Sequence, residues 1–497
     1  VLKKINGMFA FAIWDKKKKF LFVARDRVGI KPLYWSFLDK KFIFGSEIKS
    51  ILATNFQKNV DMKSVHDFFV HGLIDHDKKT FFKDIHQLEP GHYMIVKKNQ
   101  SLKKIKYWDL KEKQKETRLN KKNSFLKFLN LYENSVKIQS RADVQIGTLL
   151  SGGFDSSVLS FFLKNLGINL KTFTYGFGEN DEIELAKNTS KKLGLENYNI
   201  RLDCKKIPNL INEVIRYQEA PVTSIRVLAM HELYKKIKSL GVKVILEGQG
   251  GDEIGAGYEY YYAPYYLDLK KKIGERKAFI ATKKLMFKYK NINESNLQRR
   301  FFYSLLTTIK PGISTQDGVP FIKKNVFKKD FIHINSHNTF KHKSKSWLKS
   351  LQLIDFKHVV LPRALRYCDR VSMASSVESR LPLLDHRIVE CSFDFPNSFK
   401  IENGKTRLFM QSILDKYNAK GFKFTKNKKT IVDPQKKWLK KNLSGWIKDL
   451  FNDDSIYKNF DIFEKKELLR TYDQFMKTEN PETSFNIFQY INFIVWL

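Results

Sequence analysis

Apolar and polar positions in the middle of the chain follow an alternating pattern of strands and helices. Short apolar runs of strand length are separated by segments whose apolar residues recur every three or four positions, the spacing of an amphipathic helix. The predicted strands are 144–150, 172–177, 198–202 and 242–246. The predicted helices are one that begins near residue 154, then 183–193, 209–217 and 227–238. Because strands that alternate with helices form parallel sheets, we expect an α/β domain with a doubly wound sheet.

The two flanking parts of the chain have different patterns. Near the start, short β-prone runs at 8–14, 20–23, 32–37 and 41–44 are separated by charged turns, which indicates an α+β unit rich in antiparallel strands. Residues 111–122 are almost wholly polar and are typical of a linker. Beyond about residue 265 the pattern is mainly helical. We therefore predict a partial α+β domain at 1–115 and an α/β domain with a helical C-terminal part at 121–497.

Composition shows that the chain is strongly basic. Among its 497 residues, 90 are Lys or Arg and 52 are Asp or Glu, so the formal net charge is +38. A surface of this charge would attract phosphate backbones. The lysines, however, are spread through the whole chain, and Arg, the better reader of bases and phosphates, is scarce. We interpret most lysines as a solvated surface and expect no nucleic-acid partner.

The cysteine and hydropathy patterns bear on the compartment. Cys204, Cys368 and Cys391 lie far apart, with neither CxxC spacing nor a disulfide framework, which favours a reducing compartment and argues against a zinc site. No apolar run reaches the roughly 18 to 20 residues that a membrane-spanning helix needs. The first residues do not resemble a signal peptide. We expect a cytoplasmic protein with no membrane partner.

Residues 151–157, of sequence SGGFDSS, carry the most specific chemistry in the chain. They lie between a predicted strand and a predicted helix, where paired glycines let the backbone approach a ligand and the helix N-terminus favours negative charge. The serine hydroxyls can donate to phosphate oxygens, and Mg²⁺ best explains Asp155 in such a loop. A Gly/Ser turn with Asp as a helix cap is the plainer interpretation. The full string instead resembles the signature of the PP-loop ATP pyrophosphatases, and it lacks the Gly-Lys-Ser/Thr ending of a Walker loop.

A second glycine-rich acidic loop, residues 247–253 of sequence EGQGGDE, directly follows the predicted strand 242–246. In a doubly wound sheet both loops lie at the carboxyl ends of strands, on the same rim. Asp155 and Asp252 can then share Mg²⁺ bound to the phosphates of ATP. A glycine-rich turn with surface acids is the alternative.

The third informative segment is residues 369–387, of sequence DRVSMASSVESRLPLLDHR. Its pattern predicts a polar, charged helix or turn that leads to an apolar stretch containing proline, and alone it could be a salt-bridged structural corner. Together and in this order, the three segments resemble the synthetase domain of the glutamine-dependent asparagine synthetases. Residues 6–15 and 25–34 look like the later part of that family's glutamine amidotransferase domain, which has an N-terminal-nucleophile α+β fold. The resemblance spans nearly the whole chain.

The resemblance implies a two-step ligase reaction. ATP adenylates the side-chain carboxylate of aspartate and releases pyrophosphate, and ammonia then displaces AMP to give asparagine. The implied cofactors are ATP and Mg²⁺, and the implied substrates are aspartate, ATP, and ammonia or glutamine. A homodimer is left open. Two alternatives remain: relatives in cell-surface polysaccharide biosynthesis that amidate other carboxylates, and a tRNA-acting PP-loop enzyme.

Site residues follow from the same resemblance by matching motifs. The residues implied to bind ATP are Leu150, Ser151, Gly152, Gly153, Asp155, Ser156, Ser157 and Gly248, with Leu150 and Gly248 beside the adenine. Asp155 and Asp252 would bind the metal. Glu378 matches the family's buried acid near the reacting centre, and Lys428 matches a lysine that stabilises transition-state charge. Lys429 is a rival of Lys428, and a solvated role suits either.

Two departures from the family pattern affect these expectations. Gln249 stands between the glycines of the second loop, where some members have an acid, and a carboxamide cannot accept a proton from ammonium. The family's glutaminase uses an N-terminal cysteine, whereas this chain starts at Val1 and its first cysteine is Cys204. From the sequence alone we expect this chain not to hydrolyse glutamine.

Overall fold

The computed structural model describes residues 1–98, 101–111, 117–178, 182–286, 294–309, 315–316, 319–320, 324–334, 340–341, 344–418, 434–477 and 483–497. The strands are β1 (Ala10–Asp15), β2 (Phe20–Arg25), β3 (Tyr34–Leu38), β4 (Lys41–Gly45), β5 (His86–Gln87), β6 (His92–Lys97), β7 (Leu102–Lys106), β8 (Ile146–Leu149), β9 (Leu170–Gly176), β10 (Glu196–Arg201), β11 (Val244–Leu246), β12 (Thr315–Gln316), β13 (Val319–Pro320) and β14 (Glu378–Arg380).

The helices follow the same chain order. They are α1 (Ile48–Leu52), α2 (Met62–His71), α3 (Lys121–Gln139), α4 (Phe154–Asn165), α5 (Ile183–Leu193), α6 (Ile207–Gln218), α7 (Arg226–Ser239), α8 (Gly251–Gly255), α9 (Tyr262–Ile273), α10 (Glu275–Met286), α11 (Glu294–Ile309), α12 (Lys329–Ile332), α13 (Trp347–Ile354), α14 (Leu361–Ala374), α15 (His386–Phe393), α16 (Asn397–Lys400), α17 (Leu408–Asn418), α18 (Gln435–Lys440), α19 (Ser444–Asn452), α20 (Asp454–Asn459), α21 (Lys465–Lys477) and α22 (Thr483–Trp496). None of these described helices combines the length and apolarity needed to cross a membrane.

A parallel five-stranded sheet forms the centre of the larger part, with strand order β10-β9-β8-β11-β14. The chain runs outward from β8 through β9 to β10, and then returns to the other side for β11 and β14. This is the predicted doubly wound topology. Each strand and helix predicted between 144 and 246 is present, with ends shifted by a few residues.

Apolar side chains cover both faces of this sheet. Along β11, Ile245 packs into one hydrophobic cluster with residues of α6 and α7, whereas Val244 and Leu246 pack into another with residues of α3 and α4. Successive side chains of a strand point to opposite faces, so this division shows that helices enclose the sheet on both sides. The loops at the strand ends are left as the polar surface.

One strand of the sheet differs from the sequence prediction. The pattern of residues 369–387 indicated a polar helix or turn, and α14 does run through Ala374, but residues 378–380 form β14 at the edge of the sheet. The segment Glu-Ser-Arg has no apolar alternation. It becomes a strand because it pairs in parallel with β11, a long-range contact that local patterns do not encode.

The N-terminal part has the predicted α+β character. β1, β2, β6 and β7 form an antiparallel sheet, and β4, β3 and β5 form a second one. α2 ends at Gly72, which adopts the left-handed conformation at φ 63° and closes the helix. The four strands expected before residue 45 are all present.

The last helix of the chain packs on the first long one. Gln489 Nε2 on α22 donates to the carbonyl of Phe68 on α2 at 2.7 Å, and the rings of Phe493 and Phe69 lie 5.0 Å apart. All four residues are buried. The N-terminal part is therefore packed against the end of the chain.

Helix α14 makes a second, charged contact between the two parts. Arg366 Nη1 donates to both carboxylate oxygens of Asp75 at 2.9 and 3.0 Å, and Arg366 Nε donates to the carbonyl of Gln218 at 3.1 Å. Arg370 Nη2 lies 3.0 Å from Glu219 Oε2. Glu219 in turn accepts from the amides of Ile48 and Lys49 in the N-terminal part at 2.9 and 2.7 Å. The side chains of both arginines are at most 3% exposed, so this contact excludes water.

Candidate active site

Two glycine-rich loops meet at the topological switch point of the parallel sheet. β8 and β11 are neighbours, and their carboxyl ends lead into residues 151–157 and 247–253. A Cβ built on Gly248 would lie 3.2 Å from Asp155 Cβ, and one built on Gly251 would lie 3.1 Å from Asp155 Cγ. Ligands of doubly wound proteins bind in the crevice at this point. The predicted proximity of the two loops is present in the structure.

The first loop is ordered by its own serines. Ser151 Oγ and Ser156 Oγ lie 3.1 Å apart, the amide of Gly153 donates to Ser151 Oγ at 3.2 Å, and the amide of Ser151 donates to Ser156 Oγ at 3.2 Å. Gly153 caps α4, whose first amides face the loop without a side-chain cap. Ser157 differs from the others because it is buried. Its hydroxyl donates to the Gly153 carbonyl at 2.7 Å, and Ser156 Oγ donates to the same carbonyl at 3.2 Å.

Gly152 shows why this loop tolerates no larger residue. Its φ is 68°, in the left-handed region that favours glycine, and a Cβ there would lie 2.5 Å from Leu185 Cγ. The loop thus folds directly against α5. Leu150, at the start of the loop, is 1% exposed, and its backbone bonds to Phe173 and Thr174. Its expected place beside adenine stays a prediction.

Asp155 and Asp252 converge on one cationic group. Arg407 Nη1 lies 2.7 Å from Asp155 Oδ2 and 3.0 Å from Asp252 Oδ1. The three side chains are 17–28% exposed, so the charges meet at the edge of the solvent. The corner between the carboxylates therefore accommodates positive charge. Two carboxylates at this spacing fit Mg²⁺, which prefers oxygen ligands.

Two acidic residues of the second loop, Glu247 and Glu253, have raised pKa values. Glu247 is buried and accepts hydrogen bonds from Ser379 Oγ at 2.7 Å and from the Tyr234 hydroxyl, and burial raises its pKa. Burial, together with the charge of Asp252, raises the pKa of Glu253 to about 7. Tyr258 Oη donates to Glu253 Oε1 at 2.7 Å, which opposes this shift. Burial thus favours the neutral form of both acids of the second loop.

Profiles of known families match both parts of the chain. The asparagine synthase profile matches residues 127–497, and the glutamine amidotransferase domain profile matches residues 1–108. The chain belongs to the asparagine synthase family. This membership, with the paired loops, supports ATP-dependent amidation as the type of reaction. The predicted domain limits, 1–115 and 121–497, stay predictions.

Proteins named for different activities are similar to this chain. The chain is 23% identical to asparagine synthetase [glutamine-hydrolyzing] 1 of Bacillus subtilis, over 99% of this chain and 77% of the relative. It is 25% identical to asparagine synthetase 3 of the same organism, over 96% of this chain and 74% of the relative. It is also 26% identical to amidase chyE of Penicillium rubens, over 92% of this chain and 74% of the relative.

The structure separates Glu378 from the two loops of this asparagine synthase site. Glu378 begins β14 in register with Val244 and, across β11, with Ile146, at the amino end of the sheet. Its side chain is 43% exposed and pairs with Arg380 Nε at 2.6 Å. Glu378 is therefore not buried as the family's acid is, and its role near the reacting centre stays a prediction. A buried acid at the carboxyl end of the sheet is Glu247, the first residue of the second loop.

Three further residues complete the comparison with the sequence. Lys428 and its rival Lys429 lie outside the described residues, so their roles stay predictions. Arg407 was missed by sequence reasoning, because its partner Asp155 lies 252 positions away. Only its residue type could have indicated a role. In a chain this rich in lysine, an arginine suggests that the planar guanidinium group is needed to hold carboxylates.

Proposed function

We propose that this chain forms asparagine from aspartate in an ATP-dependent reaction through an aspartyl adenylate, releasing AMP and pyrophosphate. The proposal rests on one observation: the carboxylates of Asp155 and Asp252 lie side by side around Arg407 at the switch point of the sheet, next to the serine-rich start of α4. A carboxylate is a poor electrophile, and adenylation supplies the leaving group that ammonia can displace.

Each loop residue has a role that its position supports. Ser151, Ser156 and the first amides of α4 would bind the pyrophosphate end of ATP, because hydroxyls and helix N-termini favour phosphate. Asp155 and Asp252 would hold Mg²⁺. When bound, that ion neutralises charge on the phosphate oxygens. Arg407 would keep the two carboxylates in place between turnovers.

The experiment measures product formation by the full chain. We expect AMP and pyrophosphate, not ADP, when ATP, Mg²⁺, aspartate and ammonia are supplied, and asparagine in equal amount. Glutamine in place of ammonia tests the nitrogen source in the same assay. Formation of ADP and phosphate would overturn the adenylation mechanism.

A matched pair of variants ties this reaction to the site. Asp155→Asn should lower kcat/KM at least about a hundredfold, because a metal ligand and its charge are lost. Asp143→Asn changes an exposed carboxylate just before the other end of β8 and should leave kcat/KM unchanged. Equal activity of the two variants would remove Asp155 from the site.

The acceptor carboxylate has a second candidate. The chain is similar to an amidase as well as to asparagine synthetases, so an acid other than aspartate is the second candidate. If aspartate gives no pyrophosphate, a panel of amino and sugar acids in the same assay identifies the acceptor. Stimulation by tRNA alone would instead favour a tRNA-acting enzyme.

A further inference from the structure

Potential metal ligands lie together on α2, in the N-terminal part of the chain and outside the site described above. One side-chain atom from each of His66, Asp67 and His71 lies within 4.8 Å of the other two. His66 and Asp67 are 5% and 0% exposed, and His71 is half-buried. Two imidazoles and a carboxylate form a donor set that first-row transition metals favour.

One imidazole nitrogen of this cluster lacks a partner among the residues that the structure describes. Within the described part of the chain, the buried Nδ1 of His71 has no hydrogen-bond partner. A buried ring nitrogen that has no hydrogen-bond partner in the protein can bind a metal ion through its lone pair.

Neighbouring groups orient the ligands as outer partners do in metal sites. His76 Nε2 lies 3.1 Å from Asp67 Oδ2, and His66 Nε2 lies 3.3 Å from the carbonyl of Ile332. When His66 donates through Nε2, its Nδ1 holds the lone pair. His358 Nδ1 lies 2.9 Å from the carbonyl of His76 and fixes that residue in turn. Carboxylate and carbonyl partners of this kind set the tautomer and direction of ligating histidines.

We propose that His66, Asp67 and His71 bind a divalent transition-metal ion, for which Zn²⁺ is the best match. Zinc bonds of about 2.0–2.2 Å place the ligand atoms of a tetrahedral site about 3.4 Å apart. Side-chain rotations that close the separations by up to about 1.4 Å would bring the three atoms to that spacing, and water would take the fourth position. The site uses no cysteine, so the cysteine pattern could not reveal it.

The position of the cluster assigns the ion a structural role. The ring of His66 lies 5.5 Å from that of Phe331. His66 also contacts the carbonyl of Ile332, the last residue of α12, in the larger part of the chain. A bound ion would fix α2 at the place where the two parts of the chain pack. We expect metal-free protein to unfold at lower temperature than the Zn²⁺ form, because binding to the folded state alone stabilises it.

The experiment titrates the full-length, tag-free chain with Zn²⁺ after treatment with a chelator. We expect one ion per chain that Mg²⁺ in excess does not displace, which separates this site from the oxygen ligands Asp155 and Asp252. Replacement by Co²⁺ should give the intense visible absorption of tetrahedral coordination. Failure of the chain to bind Zn²⁺, or the weak absorption of octahedral Co²⁺, would overturn the proposal.

Variants locate the bound ion. His71→Asn and Asp67→Asn should each weaken Zn²⁺ binding by at least about tenfold, and His76→Gln should weaken it less. His92→Asn on β6 is the matched control and should bind as the unaltered chain does. Near-ultraviolet circular dichroism without metal verifies folding. If a variant unfolds, the Co²⁺ spectrum of the unaltered chain decides. Unchanged Zn²⁺ affinity in His71→Asn would contradict the site.

Discussion

Arg407 is the residue whose side chain joins the two loops of the active site. Its guanidinium lies within 3.0 Å of carboxylates from both loops. Carboxylates so close repel each other unless a cation lies between them, and the repulsion is stronger at the protein surface than in bulk water. Arg407 therefore maintains the spacing that the proposed Mg²⁺ site needs, and it competes with that ion for the same oxygens.

Replacing Arg407 by Met tests this dual role. Without divalent cations, Arg407→Met should lower the free energy of unfolding by about 1–3 kcal/mol, because two partly buried carboxylates lose their partner. Mg²⁺ should then stabilise the variant more than the unaltered chain. Urea unfolding with and without Mg²⁺ measures both effects. Arg470→Met, which removes an exposed pair with Glu467, is the control. The same response to Mg²⁺ in both chains would contradict competition for the site.

At the scale of elements, α14 connects the N-terminal part to the sheet. Three of its residues, Arg366, Asp369 and Arg370, lie three and four positions apart and so share one helix face. That face contacts the N-terminal part, where Lys31 Nζ lies 3.0 Å from Asp369 Oδ1. The helix also carries Cys368, whose sulfur lies 3.7 Å from Oε2 of Glu247, the first residue of the second loop. One helix thus touches both the interface and the base of the active site.

The Arg366 contact should dominate the stability of this interface. Arg366→Met should lower the free energy of unfolding by about 3–5 kcal/mol, because it removes a buried guanidinium and leaves Asp75, whose side chain is 12% exposed, without that partner. Lys187→Met removes an exposed pair with Glu184 and should cost about 1 kcal/mol or less. Urea denaturation of the two variants compares them directly. Equal losses would show that burial does not set the strength of these pairs.

Local pattern predicts most of the sheet but little of what completes the site. The strands and helices from 144 to 246 can be predicted, because the apolar residues whose spacing defines them are the ones that are buried. β14 and Arg407 are not readable, because each is defined by a partner far along the chain. The burial expected for Glu378 was wrong for the same reason: a motif gives the residue type, whereas strand register decides which end of the sheet it occupies.

For the whole molecule, the buried acids Glu253 and Asp355 make the free energy of unfolding depend on pH. The pKa of Glu253 is raised from 4.5 to about 7, so the folded chain binds a proton that the unfolded chain releases. This contribution is complete below about pH 4.5 and is lost as the pH rises through about 7. Asp355, whose pKa burial also raises to about 7, acts in the same direction.

Glu253→Gln tests this dependence. The variant keeps the shape of a protonated acid, so its stability should fall less steeply with pH and exceed that of the unaltered chain above about pH 7, by up to about 3 kcal/mol. Urea midpoints from about pH 5 to 8 provide the measurement. Glu184→Gln changes an exposed side chain and is the control. Parallel pH curves for Glu253→Gln and the unaltered chain would contradict the raised pKa.

The packing of α22 on α2 also fixes the order in which the molecule can mature on the ribosome. Phe68 and Phe69 are translated early, yet their partners Gln489 and Phe493 are translated last. At roughly 5–20 residues per second, these rings wait for tens of seconds on the nascent chain. All five strands of the parallel sheet are translated by residue 380. The strands can therefore pair first, whereas Phe68 and Phe69, synthesised early, are covered by α22 only at the end.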